Sequence, residues 1–211
     1  MSSQSDFIKA NTSALGFTSK RDLIENLYLK SIAESYHRVE QTVSTENDIR
    51  DRFMLDLYTI DSTLKNWLQL KVIYLNWENW VFTPELSLAR ADISFKITGF
   101  EFIIECKRLK FADKQYFDEG LTRFTSTKYS KGDEFAGMIG FVTSNKEDNI
   151  LTTLSNSVKT YDYIESDFSS STLPHIKSSF LSSHKRADNT VIHVYHMFFS
   201  FSKLPEDIIE N

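Results

Sequence analysis

The sequence predicts an α/β fold in which a mixed β-sheet is flanked by helices. Helical patterns occupy the region before residue 70, an alternating hairpin pattern covers residues 90–109, and strands and helices then alternate. Such alternation is typical of a sheet covered by helices. The chain has 211 residues, 41% of them hydrophobic, which is enough for a full core. We predict an N-terminal arm without clear periodicity over residues 1–18 and one domain over residues 19–211.

The first predicted helix begins after Ser19, which is a suitable N-cap. The second follows Thr45, where Thr45 and Asp48 form a variant of the capping box, and its apolar residues recur every three or four positions as far as Leu68. At about 100° per residue, Glu46 projects close to the centre of this apolar stripe. A buried carboxylate needs a partner. One interpretation is that Glu46 is a first-turn acid that interacts with the helix dipole.

An edge strand is predicted around residues 80–83, and the hairpin over residues 90–109 follows it. If Thr98 and Gly99 form a tight turn, counting back along both strands places Asp92 directly opposite Glu105. Opposed Cβ atoms lie roughly 4.5–5.5 Å apart, so two carboxylates in these positions repel each other unless a cation bridges them. Because side chains alternate, Lys107 shares a face with Glu105, while Cys106 points to the apolar side.

This arrangement of Asp92 with Glu105-Cys106-Lys107 resembles the active site of the PD-(D/E)XK nuclease superfamily, whose core is restriction-endonuclease-like. Ala91 stands where the proline of that name is often found. The resemblance covers residues 45–143. Glu105-Cys106-Lys107 is the only [DE]-x-K triplet in the chain. By chance alone, a chain of this length contains on the order of one such triplet. The alternative interpretation is a surface hairpin with a solvated Glu/Lys pair.

The resemblance implies metal-dependent hydrolysis of phosphodiester bonds. Asp92, Glu105, Glu46 and the backbone carbonyl of Cys106 would hold Mg²⁺, for which Mn²⁺ can substitute, since both prefer hard oxygen ligands. Asp92, Glu105 and Lys107 would be the catalytic residues, with Lys107 orienting or deprotonating the attacking water. On this interpretation Glu46 completes the metal site, and it stands beside the dipole interpretation.

After the hairpin, a helix is predicted from about Asp113 to Lys128, with Phe117, Leu121 and Phe124 on its apolar face. In related nucleases this helix often has a polar residue near the site, which makes Gln115 and Arg123 candidates for substrate contact. The alternative for Arg123 is a surface ion pair with Glu119. A strand over residues 137–143, a helix over residues 146–163, a serine-rich loop over residues 165–174 and two late strands complete the predicted fold.

A cluster of cations follows the hairpin, and it is either a phosphate track or a set of ordinary solvated charges. Its members are Lys107, Arg108, Lys110, Lys114, Arg123, Lys128 and Lys131. The substrate-binding candidates are Arg108, Lys110, Gln115, Arg123 and Lys128. A net charge of −5 argues against a general nucleic-acid coat but not against a local basic surface. DNA is the expected partner, and RNA stays an alternative.

The remaining composition favours a cytoplasmic protein. The single cysteine, Cys106, has no partner for an internal disulfide, and no apolar run approaches the length of a membrane-spanning helix. The spacing of the four histidines beyond residue 174 matches no zinc rule.

Two other functional classes stay open. One is a non-cleaving nucleic-acid-binding or assembly subunit. The other is a module whose nuclease is switched on by a protein partner in a defence complex, because YFDEGLTRFTSTKYS, AGMIGFV, SSHKR and HMFFSF resemble nuclease components of bacterial restriction and antiphage systems. A homo-oligomer is a further open alternative.

Overall fold

The computed structural model describes residues 4–82, 88–129, 132–169 and 173–204. Within these residues, seven strands form one sheet in the order β1-β2-β3-β4-β7-β6-β5. β3 pairs with β4 and β4 with β7 in parallel, while the other neighbours are antiparallel. The strands are β1 (Tyr74–Phe82), β2 (Leu88–Ile97), β3 (Phe100–Leu109), β4 (Phe135–Val142), β5 (Ile164–Ser169), β6 (Ser179–Lys185) and β7 (Val191–Ser200). The predicted mixed sheet flanked by helices is confirmed.

The helices flank both faces of this sheet. They are α1 (Gln4–Ala14), α2 (Lys20–Leu23), α3 (Lys30–Arg38), α4 (Glu46–Thr59), α5 (Thr63–Gln69), α6 (Thr122–Thr125) and α7 (Glu147–Val158). π-Helical segments at Ile24–Leu29 and Tyr116–Leu121 lead directly into α3 and α6. Across the described residues, we find no helix with the length and apolar character required to cross a bilayer.

The capping predictions for the first two helices are confirmed. The hydroxyl oxygen of Ser19 accepts a hydrogen bond from the N–H of Asp22 (3.1 Å), and that of Thr45 accepts one from the N–H of Asp48 (3.1 Å). The prediction of one helix from Thr45 to Leu68 is wrong, because α4 ends at Thr59 and α5 begins at Thr63. A second helix begins after Ser62, because the side chain of Ser62 caps α5 as that of Thr45 caps α4.

Two hydrophobic cores lie on the two faces of the sheet. Residues of α1 to α5 pack on one face, where Phe53 and Phe102 are buried. The second π-helical segment, α6 and α7 cover the other. Gly120 allows this helix to lie close to the sheet, because a Cβ atom there would collide with Cε of Met138 on β4. The predicted apolar face of this helix is buried, although the helix ends at Thr125 rather than Lys128.

Within the N-terminal arm predicted over residues 1–18, residues 4–14 form α1. Ile8, Thr12 and Leu15 are buried, and the side-chain amide of Asn11 donates a hydrogen bond of 2.9 Å to the carbonyl of Thr98 at the hairpin turn. A few apolar residues that pack on the hairpin tip are enough to fix this segment. They are too few to produce a readable helical period.

The serine-rich loop predicted over residues 165–174 is partly wrong, since β5 pairs there with β6 at the edge of the sheet. Its pairing has register shifts, which explains the absence of a clean alternating pattern. β1 is an edge strand as predicted, but it begins at Tyr74. β4, α7, β6 and β7 occupy the predicted regions, with α7 shorter than expected.

A buried hydrogen-bonded network lies between β6 and β7. The hydroxyl of Ser182 is 2.6 Å from Nε2 of His184 and 2.7 Å from Nε2 of His196. Nδ1 of His196 is 2.9 Å from the hydroxyl of Tyr116. Burial lowers the pKa of His184 to about 4 and that of His196 below its ordinary value. Both imidazoles are therefore neutral at physiological pH.

Candidate active site

The candidate site lies where β2 separates from β3. The predicted register is confirmed from Ile97–Phe100 to Ile93–Ile104, and the ladder recorded between these strands ends there, one residue before Asp92 and Glu105. Beyond Ile104, β3 continues in parallel with β4 as far as Leu109. The β3 edge that faces β2 therefore opens, and polar side chains can reach its backbone.

Carboxylates occupy this opened edge. The N–H of Cys106 donates a hydrogen bond to Oδ2 of Asp92, and the N–H of Arg108 donates one to Oε2 of Glu46, both at 2.8 Å. In an extended strand, the N–H and C=O of one residue point to the same side. The carbonyl of Cys106 therefore lies on the same side of β3 as its N–H, which is the side that faces Asp92. The Cys106 side chain is buried in the apolar core.

Asp92 is nearly buried and faces an arginine from α4. Nη1 of Arg50 lies 3.5 Å from Oδ1 of Asp92, and Nη2 lies 2.8 Å from Oε1 of Glu78. The Arg50 side chain is only 2% exposed, and its Nε has no hydrogen-bond partner among the described residues. Glu78 has a φ of +52°, which strains a side chain of this type. Arg50 is thus a fixed counter-ion that joins β1 to β2.

Glu105 lies between two cations. Nζ of Lys107 is 3.0 Å from Oε1, and Nη1 of Arg123 is 2.9 Å from Oε2. The Glu105 side chain is 1% exposed. Burial and, second, the charge of Asp92 outweigh these two cations and raise the pKa of Glu105 to about 7. Burial therefore disfavours the charged form of Glu105 even though two cations of the chain contact it.

Glu46 lies at the mouth of the same site. It is half-buried, and burial raises the pKa of its carboxyl, with a smaller contribution in the same direction from the charge of Asp92. The hydrogen bond from the N–H of Arg108 and the charges of Lys107 and Arg50 act in the opposite direction. The charges of Asp92, Lys107 and Arg50 all act on the pKa of Glu46, because the Glu46 carboxylate lies near the charged groups of these three residues.

The predicted substrate-binding residues divide into two groups. Arg123 turns towards Glu105, and its ion pair forms there rather than with Glu119. Arg108, Lys110, Gln115 and Lys128 are exposed. No ion pair joins these four side chains to the acids in the part of the chain that the structure describes. Lys131 lies outside the described residues.

Three residues of the site were not predicted: Arg50, Glu78 and Tyr129. Arg50 follows Glu46 by four positions on one helix, and this spacing could have identified it. Tyr129 is buried and accepts a hydrogen bond of 2.7 Å from Nη1 of Arg123, while its own hydroxyl donates to the carbonyl of Arg90. Glu78 and Tyr129 reach the site only through the sheet order, for which the local sequence contains no signal.

A divalent cation at this site would need several oxygen ligands from the acids at the fork. Within the described ranges, no group of three or more His, Cys, Asp or Glu side chains is arranged to hold a metal ion. The acids instead bind Arg50, Lys107, Arg123 and backbone N–H groups. The donor chemistry nevertheless fits a hard cation, because the fork brings together carboxylate oxygens and a carbonyl. A metal ion on Glu105 would compete with Lys107 and Arg123 for this carboxylate.

Comparisons with protein-family models, with curated proteins and with solved structures found no match to this chain.

Proposed function

We propose that this protein is a metal-dependent nuclease with a restriction-endonuclease-like core of the PD-(D/E)XK type. The observation that supports this most strongly is the meeting of Asp92, Glu105 and Lys107 at the fork of β2 and β3, beside the backbone of Cys106. The proposed chemistry rests on the resemblance of these residues to the superfamily motif, and their proximity at the fork is compatible with it.

In this proposal, Asp92, Glu105 and the carbonyl of Cys106 hold Mg²⁺ or Mn²⁺, and Glu46 completes the site. The bound ion would supply charge neutralisation at the phosphate and a lowered pKa for water. The buried position of Glu105 limits competition from bulk water. Arg50 keeps Asp92 in place, since a guanidinium this deeply buried holds its carboxylate partner.

Lys107 is the proposed catalytic cation. Its side chain is 17% exposed, so the ammonium can meet a substrate while it remains beside Glu105. Its position allows it to orient or deprotonate the attacking water and to stabilise negative charge that develops on the phosphate. The N–H groups of Cys106 and Arg108 hold the neighbouring acids in fixed orientations, which reduces reorganisation during the reaction.

DNA is the proposed substrate, with RNA as the alternative. The exposed cations Arg108, Lys110 and Lys128 follow the site in sequence and would contact phosphates on either side of the bond that is cleaved. A cytoplasmic role in bacterial defence rests on the wider resemblance to restriction and antiphage nucleases.

A second candidate is a non-cleaving nucleic-acid-binding or assembly subunit. One observation favours it, because both oxygens of Glu105 are engaged by cations of the same chain. A third candidate, a nuclease that a protein partner activates, is compatible with the same observation.

The deciding experiment incubates the protein with supercoiled DNA, linear DNA, single-stranded DNA and RNA in Mg²⁺, Mn²⁺ or EDTA. The nuclease proposal expects cleavage of at least one substrate in Mg²⁺ and Mn²⁺ and none in EDTA. Binding without cleavage in all three conditions would favour the second candidate. Cleavage that requires an added partner protein would support the third.

A further inference from the structure

Both oxygens of Glu105 pair with cations of the same chain, so an arriving metal ion competes with these cations for the carboxylate. Lys107 is anchored on β3 itself, two residues from Glu105, and it has a proposed role in the reaction. Arg123 comes from the separate short helix α6. Its side chain is 31% exposed, in contrast to the buried Arg50 beside Asp92. Arg123 is therefore the cation that can leave.

The guanidinium of Arg123 is also built to accept a new anion. Its hydrogen bonds to Glu105, to the hydroxyl of Tyr129 and to the carbonyl of Arg90 all use Nη1. Nε and Nη2 have no recorded hydrogen bond within the described residues. These donors form the planar fork that binds phosphate oxygens in pairs. The ring of Tyr129, 5.4 Å from the guanidinium carbon, offers a surface on which the group can turn.

We propose that Arg123 is an exchangeable counter-ion, which releases Glu105 when a divalent cation binds and then contacts a phosphate of the nucleic acid. This inference rests on the proposed nuclease function and adds a coupling to it. Metal binding frees Arg123 for the substrate, and a substrate phosphate that holds Arg123 opens Glu105 to the metal. By thermodynamic linkage, each ligand then raises the affinity for the other by the same factor.

The test measures Ca²⁺ binding by calorimetry and binding of a short fluorescein-labelled DNA duplex by anisotropy, in EDTA and in Ca²⁺. Ca²⁺ takes the same type of oxygen ligand as Mg²⁺. The variants are R123Q, which removes the charge, R123K, which keeps it, and R21Q. R21Q is the matched control, because it removes an exposed arginine of α2 whose ion pair is with Glu25 rather than with an acid of the site.

We expect R123Q to bind Ca²⁺ about fivefold more tightly than the wild type, because one competing charge is gone. The gain in DNA affinity on adding Ca²⁺ should fall to less than half of the wild-type gain in R123Q. R123K and R21Q should bind Ca²⁺ within about twofold of the wild type, since charge at the site is kept. R123M, whose unbranched apolar side chain also removes the charge, replaces R123Q if that variant does not fold by circular dichroism.

Two results would overturn the exchange while leaving the nuclease proposal intact. Weaker Ca²⁺ binding by R123Q would mean that Arg123 only positions Glu105. An equal loss of DNA affinity in EDTA and in Ca²⁺ would make Arg123 a simple phosphate contact. Failure of the wild type and of every variant to bind Ca²⁺ has a different meaning, because it would remove the metal site and the proposed function together.

Discussion

The backbone N–H of Cys106 donates a hydrogen bond of 2.8 Å to Oδ2 of Asp92, across the opening between β2 and β3. In a regular hairpin, this N–H would bond to the backbone of the neighbouring strand. Asp92 replaces that backbone partner, and its other oxygen faces the buried Arg50. Asp92 therefore closes the fork and neutralises a buried cation, whatever its part in catalysis.

The first prediction follows from this double role. Asp92→Ala should lower the free energy of unfolding by about 2–4 kcal/mol, because it leaves a buried guanidinium and a buried N–H without their partner. Asp92→Asn keeps an oxygen for Cys106 and should cost about half as much. Both variants should lose cleavage. Urea unfolding in EDTA measures the stability.

Asp51→Ala is the control for Asp92. Asp51 lies 3.8 Å from the same arginine, but its side chain is 60% exposed. Its removal should change the free energy of unfolding by less than about 0.5 kcal/mol. If Asp92→Ala is as stable as Asp51→Ala, the pairing of Asp92 with Arg50 does not hold in solution.

The carboxyl of Glu105 should reduce the stability of the fold as the pH rises, in contrast to that of Asp92. Its folded-state pKa of about 7 lies above the ordinary 4.5, so the native protein binds more protons than the unfolded chain between these values. This contribution to stability is complete below about pH 4.5 and is lost as the pH rises through 7. Glu105→Gln should therefore be more stable than the wild type at pH 8, by about 1–3 kcal/mol in EDTA.

The same substitution should have little advantage at pH 5, where the wild-type carboxyl is largely protonated. Unfolding midpoints at both pH values, compared between wild type and Glu105→Gln, test the sign. An equal loss of stability at both pH values would mean that Lys107 and Arg123 fully compensate the buried charge.

Substitution of Glu46 distinguishes its two possible roles, as a metal ligand or as an acid that interacts with the dipole of α4. Glu46→Gln keeps an acceptor for the N–H of Arg108 and removes the charge. If Glu46 completes the metal site, the Mg²⁺ concentration for half-maximal cleavage should rise by about tenfold, with the size typical of losing one metal-site group. If Glu46 is only a dipole partner, the free energy of unfolding should fall by about 0.3–1 kcal/mol and the Mg²⁺ titration should stay unchanged.

Asp48→Asn is the matched control for Glu46. Asp48 is also a first-turn acid of α4, but it is exposed, and its carboxylate accepts a hydrogen bond of 2.7 Å from the hydroxyl of Ser44. This variant should have the dipole effect alone. A rise in the Mg²⁺ requirement of the same size in both variants would point to general electrostatics rather than to a ligand.

The hairpin could be predicted because its determinants are local. The Thr98-Gly99 turn sets the register, and alternation then puts Glu105 and Lys107 on one face. Gly99 adopts the positive φ, +83°, that such a turn requires. The helix caps at Ser19 and Thr45 are local in the same sense.

The partner of Arg50 on β1 and the position of Tyr129 could not be predicted in this way. Arg50 meets Glu78 from a different element, and this contact depends on which strand forms the sheet edge. Tyr129 meets Arg90 across 39 positions of the chain. The strand β5 was missed because its residues pair irregularly at an edge. Sequence periodicity reports burial of one element, whereas these features depend on the packing of several.

The buried histidines predict sensitivity to acid. The pKa of His184 falls from the ordinary 6.5 to about 4 in the folded state, so the unfolded chain binds more protons in this range. Stability should therefore fall as the pH decreases from 6.5 to 4. His184→Gln removes this contribution and should flatten the pH profile, by about 2–3 kcal/mol over the range.

His37→Gln is the control, because His37 is exposed. Its pH profile of urea midpoints should run parallel to that of the wild type. A His184→Gln profile that also runs parallel would show that His184 is not held neutral by burial.

Lys107 is the proposed catalytic cation of this nuclease, and single-turnover cleavage by Lys107→Ala is the sharpest experiment on that role. Lys96→Ala, an exposed lysine at the other end of the same hairpin, is the control. We expect Lys107→Ala to lower the single-turnover rate in Mg²⁺ by about 10²–10⁴-fold and to change DNA affinity in Ca²⁺ by less than about threefold. A different result would contradict the catalytic role of Lys107: Lys107→Ala keeps the wild-type rate but binds DNA more weakly, with a salt slope reduced by about one. That is the behaviour of a lysine that only binds phosphate.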